Sequence, residues 1–266
     1  MLNELAHNHR IVLGLMQALM AALLALGVAT LARSRGIQLL GDASIALIRG
    51  LAQMIAVGFV FVLLLRGPEW TSPFVLAAMI VAAAATSARR AQRFPGAFRM
   101  SLMAIAGGAG AVILIMTLLG AIGTAVSALI PVGSMLIANA MNANGLALDR
   151  FRSEVESHIG EIESALALGA APTVTVRDPL QAALRASLIP PIDSLRSLGI
   201  VWIPGLMAGM LLSKESPVYA SIYQFVVLAM ILASSGMTCF ISTWLMSQAA
   251  FSSGEQLIMR PAPARG

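Results

Sequence analysis

The side chains that could bind a metal ion are placed in a way that argues against a tightly held metal. The 266 residues include 16 methionines, three histidines and one cysteine. Thioethers suit soft ions such as Cu(I), but methionine more often fills apolar cores because it is flexible and polarizable. His7, His9 and His158 lie outside the apolar segments, and Cys239 stands alone. We therefore predict no metal site, no catalytic site and no cofactor bound by this chain itself.

The elements that must position any functional side chain are apolar helices. Hydrophobic residues make up 58% of the chain and charged residues 11%, against roughly 25% charged in soluble domains. Residues 100–148 include no ionisable side chain. Backbone groups in lipid must be satisfied internally, so apolar stretches of about 20 residues are helical spans. An all-α polytopic bundle, in one domain over residues 1–266, is predicted with seven spans at 11–32, 44–65, 71–88, 99–119, 122–147, 197–213 and 219–246.

The basic residues predict the orientation of this bundle. With seven spans, Arg10, Arg66 and Lys214 fall on one side, Arg49 lies within a span, and the rest of the 17 Lys and Arg residues fall on the other side. The positive-inside rule then places the N-terminus outside and the C-terminus in the cytosol, in the cell's inner (plasma) membrane. Contact with anionic lipid accounts for the net charge of +5. Nucleic-acid binding is not expected, because no basic patch is interleaved with aromatic residues.

Polar side chains within the predicted spans are candidates for a pathway across the membrane. Arg49 and Gln53 lie four residues apart and share a helix face; the arginine either extends toward the membrane surface or has a function within the span. Buried amides such as those of Asn139 and Asn142 need a neighbouring helix, water or a substrate as partner. The predicted pathway residues are Arg49, Gln53, Met135, Asn139, Met141, Asn142 and Asp193.

The polar segment 149–196 is predicted to form cytosolic helices that contact another protein. Apolar residues recur there at helical spacing, with glutamates off the stripe, at Phe151, Val155, Ile159, Ile162 and Leu166. Ser153 and Glu156 fit a capping box, unless the helix continues from the preceding span. Helices that lie on membranes favour Lys and Arg on their polar face, so this acidic helix is predicted to dock onto a protein. The predicted contact residues are Glu154, Glu161, Glu163, Leu166 and Gly169.

Glycines and prolines mark the predicted turns and hinges. Gly169 is expected to end the first cytosolic helix, and Pro172 to begin the next, which would run to about Ile189. Two glycine clusters, Gly107-Gly108-Ala109-Gly110 and Gly205-x-x-x-Gly209, are predicted to allow close helix packing. The first of them lacks the Lys-Ser/Thr ending of a phosphate-binding loop. The predicted helix hinges are Pro131, Pro190 and Pro204.

Several motifs resemble known permeases. Glu163-Ser164-Ala165 with Gly169 resembles the first half of the EAA loop through which ABC-transporter permeases contact their ATPase; Pro179 stands where the second half would have Ile. Over most of residues 130–230 the chain resembles the iron-export ABC permease family, which includes plant permeases linked to aluminium tolerance. This resemblance is carried by Ile130-Pro131, Gly133, Met135, Asn139-Ala140-Met141, Gly145-Leu146, Leu168-Gly169-Ala170, Leu188-Ile189-Pro190, Asp193-Ser194, Pro204-Gly205 and Tyr223-Gln224, and it departs at Lys214-Glu215.

The resemblance implies a membrane permease subunit that is not itself an enzyme. Such a subunit forms a homodimer in membrane lipid and exports iron or another metal, driven by ATP and Mg bound to a separate cytosolic ATPase. The alternative is a secondary transporter driven by an ion gradient, which would show inverted repeats and a coupling carboxylate. No Asp or Glu falls within a predicted span. An intramembrane enzyme is least expected, because the spans hold no base to activate a nucleophile.

Overall fold

The computed structural model describes residues 2–65, 67–90, 96–252, 254 and 256–257. It divides into two compact units, Met1–Gly67 and Pro68–Gly266. The first unit is a helical hairpin of α1 (Leu2–Ser34) and α2 (Leu40–Leu65), which contact each other. Gly36 adopts a φ of 82° in their short connection, a conformation that glycine reaches without strain. No residue of α2 is buried, which fits a helix whose apolar side chains face lipid.

The second unit is also helical throughout its described residues. After a 3₁₀ turn (Glu69–Thr71) come α3 (Ser72–Arg90) and α4 (Ala97–Ile105), and a π-helical turn (Ala106–Gly110) joins α4 to α5 (Ala111–Leu118). The long α6 (Val126–Ser157) is followed by the short α7 (Ile159–Ala167) and α8 (Pro172–Thr175). The remaining helices are α9 (Arg177–Ser197), α10 (Gly205–Leu212) and α11 (Pro217–Ala249).

Two hydrophobic clusters follow one another along this second unit. The first cluster joins the middle of α3, the π turn and α5, the first half of α6 and the first half of α11, with residues such as Leu76, Ala109, Leu136 and Val227. The second cluster joins the ends of α6 and α11 to α7 and α9, with Phe151, Ile162, Ala183 and Met246 among its members.

The two clusters give the direction of each helix. The helices α3, α6 and α11 run from the first cluster to the second, whereas α4–α5 and α9 run from the second cluster to the first. The chain therefore alternates in direction over five successive passes. Arg89, Arg99 and Asp149 lie near the end marked by the second cluster, whereas Lys214 and Glu215 follow α10 at the other end. This alternation agrees with the predicted order of the last five spans, and the side of the membrane on which the second cluster lies stays a prediction from the charges.

Six helices are long and apolar enough to cross a membrane within the described residues, covering Val12–Ser34, Leu40–Leu65, Ser72–Arg89, Ala97–Leu118, Val126–Ser157 and Pro217–Ala249. They correspond to six of the seven predicted spans, and the all-α polytopic class is confirmed. The predicted division near Gly120 is confirmed as well: α5 ends before it, and this glycine has a φ of 74° in the connection to α6.

The prediction of one continuous helix over 197–213 is wrong. Residues 198–204 are not helical, and α10 has only 8 residues, a length of about 12 Å against a hydrocarbon layer of about 30 Å. Gly199, with a φ of 74°, and Pro204, just before α10, account for the break. Because Leu195, Leu198 and Leu206 all pack against the first cluster, the end of α9, the break and α10 together take the place of that span.

The segment after the uncharged run also differs in detail from its prediction. The helix α6 continues without interruption from Val126 to Ser157, so Ser153 lies within a helix and the capping box is wrong. Glu156 instead pairs with Arg152 at 2.8 Å. Gly169 does end α7, with a φ of 87°, and Pro172 does begin the next helix. However, the helix predicted from Pro172 to Ile189 is divided: α8 ends at Thr175, and α9 begins at Arg177 and continues through Pro190 and Pro191 to Ser197.

Candidate functional site

The ends of α6, α7, α8 and α9 enclose an open, acidic groove of about 450 Å³. We call this feature the acidic elbow. Its charged lining residues are Glu154, His158, Glu161 and Asp178. The sharp change of direction at His158, where α6 ends and α7 begins, brings the glutamates of two helices to one groove. A groove with three carboxylates attracts cationic groups, and its attraction is screened by salt.

The apolar stripe beside the elbow packs within the chain. Phe151 and Val155 are fully buried, Ile162 is 3% exposed, and all three belong to the second cluster with Ala183 of α9. Ile159 and Leu166 are partly buried against the same cluster. The expectation that this stripe docks onto another protein is therefore wrong, because the chain itself covers it. The outward face of α7 is what remains for a partner.

Four of the predicted contact residues lie on or beside that outward face. Glu161, Glu163 and Gly169 are exposed, and Glu154 is partly exposed at the groove. Leu166 is partly buried and packs inward. The neighbouring Leu168, which was not predicted, is 89% exposed, so it is the better apolar contact for a partner.

His158 makes the charge of the acidic elbow depend on pH. Its Nδ1–H donates a 2.9 Å hydrogen bond to the backbone carbonyl of Glu154. This hydrogen bond raises the pKa of His158, and the loss of hydration opposes the rise. The negative charges of Glu161 and Glu154 raise the pKa further. A raised pKa means that the imidazole holds its proton to higher pH than a free histidine. The net charge of the acidic elbow is therefore less negative below neutral pH, where His158 carries a proton, than above it.

The predicted pathway residues of α6 lie around its middle. Met135 and Met141 are partly buried against the first cluster. Asn139 donates from Nδ2 to the carbonyl of Met135 at 2.8 Å within the same helix, so its amide oxygen is the group available to others. Asn142 is exposed. All four side chains therefore lie on or near the surface of the second unit.

Asp193 and Arg196 lie near the end of α9, where this helix reaches the first hydrophobic cluster. They form an exposed pair at 3.3 Å on α9. Leu188 packs in the second cluster, whereas Leu195, between the two charges, packs against the first cluster with residues such as Leu136 of α6. The pair therefore stands beside the uncharged part of α6, where facing lipid would be costly. This face of α9 needs water or protein against it.

Arg49 and Gln53 belong to the first unit and lie one turn apart on α2, as predicted; both are exposed. Among the residues that the structure describes, no group of three or more His, Cys, Asp and Glu side chains could hold a metal ion. The three predicted hinge prolines all lie in or beside helices: Pro131 within α6, Pro190 within α9 and Pro204 immediately before α10.

Two tight contacts join helices of the bundle, and the first gives a buried amide the partner on a neighbouring helix that such a group is expected to need. Asn144 donates from Nδ2 to Ser87 Oγ at 2.8 Å and to Ser101 Oγ at 2.9 Å, and so joins α6 to α3 and α4. Gly108, in the π turn, lies directly against Thr238 of α11. The sequence showed the glycine cluster but could not show its partner. The other cluster, Gly205 and Gly209, has no close neighbour in the second unit, so close packing is found only at the first.

A polytopic helical bundle with an exposed charged pair beside an uncharged helix and an acidic groove at one end has the features of a membrane transport subunit. The chain matches the family described as "Uncharacterised protein family (UPF0014)" over residues 15–251. It belongs to this family of multi-pass membrane permeases.

Three relatives show how far the similarity extends. The "Probable iron export permease protein FetB" of Escherichia coli (strain K12) is 30% identical over 212 residues, which are 79% of this chain and 82% of that protein. "Protein ALUMINUM SENSITIVE 3" of Arabidopsis thaliana is 28% identical over 90% of this chain and 87% of its own length. The "UPF0014 membrane protein YjkA" of Bacillus subtilis (strain 168) is 30% identical over 81% and 87%. No solved structure matches the chain significantly.

Proposed function

We propose that this chain is the permease subunit of an ABC transporter that exports iron or another metal ion across the inner (plasma) membrane. ATP and Mg bind to a separate cytosolic ATPase. The observation that carries the proposal is the continuity of α6, which is 32 residues long and thus extends about 48 Å. One helix therefore holds both the uncharged run beside Asn139 and the first glutamate of the acidic elbow, so a force on the elbow reaches the membrane part directly.

The partner ATPase contacts the acidic elbow and the outward face of α7. That face offers Glu161 and Glu163, with Leu168 at its end. Acidic side chains near an anionic leaflet are repelled from the lipid, whereas a basic surface on a protein is attracted to them. The apolar stripe, packed against α9, holds α7 firmly to the bundle, so that displacement of α7 moves α6 and α9 as well.

The permease acts as a homodimer whose pathway lies at the face with Asp193 and Arg196. Two charges beside the uncharged part of α6 are tolerated only against protein or a water-filled space, and a second copy with a shared pathway supplies both. Asn139, Asn142, Met135 and Met141 contribute to the same pathway from α6. Neutral oxygen and thioether groups hold a metal weakly, which allows its release.

An ion-gradient mechanism is less well supported. Coupling by protons or sodium ions normally uses a free carboxylate within the membrane, whereas the carboxylate of the proposed pathway, Asp193, is paired with Arg196 at 3.3 Å.

Glu163→Lys should abolish binding of the ATPase while leaving the permease in the membrane. The substitution places a positive charge on the outward face of α7, where a basic partner surface is expected, and like charges across an interface cost several kcal/mol. Co-purification of the ATPase with the tagged permease measures the effect, and a loss of more than tenfold is expected. The matched control is Glu215→Lys, at the opposite end of the second unit. Equal ATPase recovery from both variants would contradict the role given to α7.

Cells that lack the chain should accumulate iron when iron is supplied in excess. Total metal per cell, measured by mass spectrometry, is expected to rise at least twofold for iron and to return to normal when the chain is restored. A rise in a different metal would replace iron as the cargo. An unchanged content of every metal would contradict metal export.

A further inference from the structure

Gln224 of α11 has a buried amide without a hydrogen-bond partner. Its side chain is 1% exposed, and neither Oε1 nor Nε2 bonds to any described residue. A glutamine amide can take part in four hydrogen bonds. Leaving both of its polar atoms unpaired away from water incurs the full desolvation penalty of the group. A native protein keeps such a group only for a reason.

The surroundings of Gln224 are apolar on its own helix. Ala220 and Val227, one turn before and after it, are both fully buried. The buried hydroxyls further along α11 include two that bond to the helix itself: Thr243 Oγ1 donates to the carbonyl of Cys239 at 2.8 Å, and Ser234 Oγ to that of Ile231 at 3.0 Å. Serine and threonine commonly make such local bonds. Gln224 makes none.

Unpaired backbone groups lie at the same level of the bundle. A short connection joins α10 to α11. Gln224 lies about as many residues after the centre of this connection as Gly205 and Leu206 lie before it, so the three residues are level with one another in the α10–α11 hairpin. The first N–H groups of a helix have no acceptor within it, and no side chain caps α10. The non-helical residues 198–204 precede these groups. Gly199 already donates to the carbonyl of Trp202, and Ile200 and Val201 donate to that of Ser197, so the free donors are the N–H groups at the start of α10. An amide can accept from these donors and donate to a nearby backbone carbonyl.

We propose that Gln224 is a positioning residue of the transport cycle. In the conformation described here its amide is unpaired; when the α10–α11 hairpin shifts to the opposite access state, the amide bonds to backbone groups of residues 198–206. The unpaired amide raises the free energy of the present conformation relative to the other one, and this keeps the two states close enough in energy to exchange. The inference rests on the proposed transport function.

Gln224→Met tests this assignment, because methionine has a similar length and no hydrogen-bonding need. We expect the melting temperature of the purified permease to rise by about 5 °C and ATP-dependent uptake of Fe²⁺ into inverted vesicles, with the ATPase present, to fall at least tenfold. Gln224→Glu, which keeps a donor and an acceptor when protonated, should retain more uptake than Gln224→Met. The matched control is Thr243→Val on the same helix, whose hydroxyl is already paired; it should not raise the melting temperature and should keep wild-type uptake.

Each other outcome overturns the inference. A lower or unchanged melting temperature for Gln224→Met means that the amide has a partner in this conformation. A raised temperature with wild-type uptake means that the unpaired amide has no part in transport. If neither Gln224→Met nor Gln224→Leu folds, the amide is needed for folding. Lack of uptake by the wild-type complex would instead count against the proposed function, and the melting temperatures would still report on the amide.

Discussion

Gly108→Ala should destabilise the permease more than replacement of any other glycine of the π turn by alanine. A Cβ at this position would lie 2.5 Å from the backbone nitrogen of Thr238 and 2.7 Å from its Cα, and it would also overlap the Thr238 Oγ1. Because two of these three atoms are backbone, α11 itself has to move away from the turn. The expected loss is about 3 kcal/mol, at the upper end for overpacked sites.

The measurement for Gly108→Ala is thermal unfolding of the purified permease, together with its yield in the membrane. Gly110→Ala is the matched control, because a Cβ there meets only Ile80 Cδ1 at 3.7 Å, an ordinary contact. Both exchanges have the same intrinsic effect on helix propensity. Equal melting temperatures for the two variants would show that α11 does not pack against the turn as described.

Ser153→Pro should separate ATPase binding from transport. Ser153 is exposed on α6, between the uncharged run and the acidic elbow. Proline there removes a backbone hydrogen bond and bends the helix, at a cost of about 3 kcal/mol. The ATPase still finds the outward face of α7, but its movement is no longer passed along a straight helix. We expect co-purification to persist and metal uptake into inverted vesicles to fall more than tenfold.

The control for Ser153→Pro is Ser153→Ala, which removes the hydroxyl and keeps the helix. This variant should transport like the wild type, because the Ser153 side chain is exposed. The backbone carbonyl of Ser153, which accepts a hydrogen bond from Ser157 Oγ at 2.8 Å, is unchanged by the substitution. Wild-type uptake by the proline variant would show that continuity of α6 is not needed for coupling.

The sequence predicted those features that depend on local chemistry. Gly169 and Pro172 predicted the end of one helix and the start of another, and both are confirmed. The spacing from Phe151 to Leu166 predicted an apolar helical stripe, and its residues are buried or partly buried on α6 and α7. Long apolar stretches predicted six helices correctly because lipid permits little else. Such features follow from a residue and its near neighbours.

Features that depend on distant neighbours were not predicted. Pro190-Pro191 suggested a helix boundary, but α9 continues through both because its buried side chains pack against α6 and α11. The stripe on α6 and α7 suggested a partner, and only the fold showed that α9 occupies that place. A single glutamine such as Gln224 looks like any polar residue until its burial is known.

The unbroken α6 also fixes a rotational phase between the two ends of the protein. Each residue turns the helix by about 100°, so one residue inserted near Arg150 would swing Glu154 by more than a quarter of a circle relative to Asn139. An insertion of seven residues, nearly two full turns, would restore the angle. We therefore expect the segment from Asn139 to Glu154 to tolerate only insertions that add close to a whole number of helical turns.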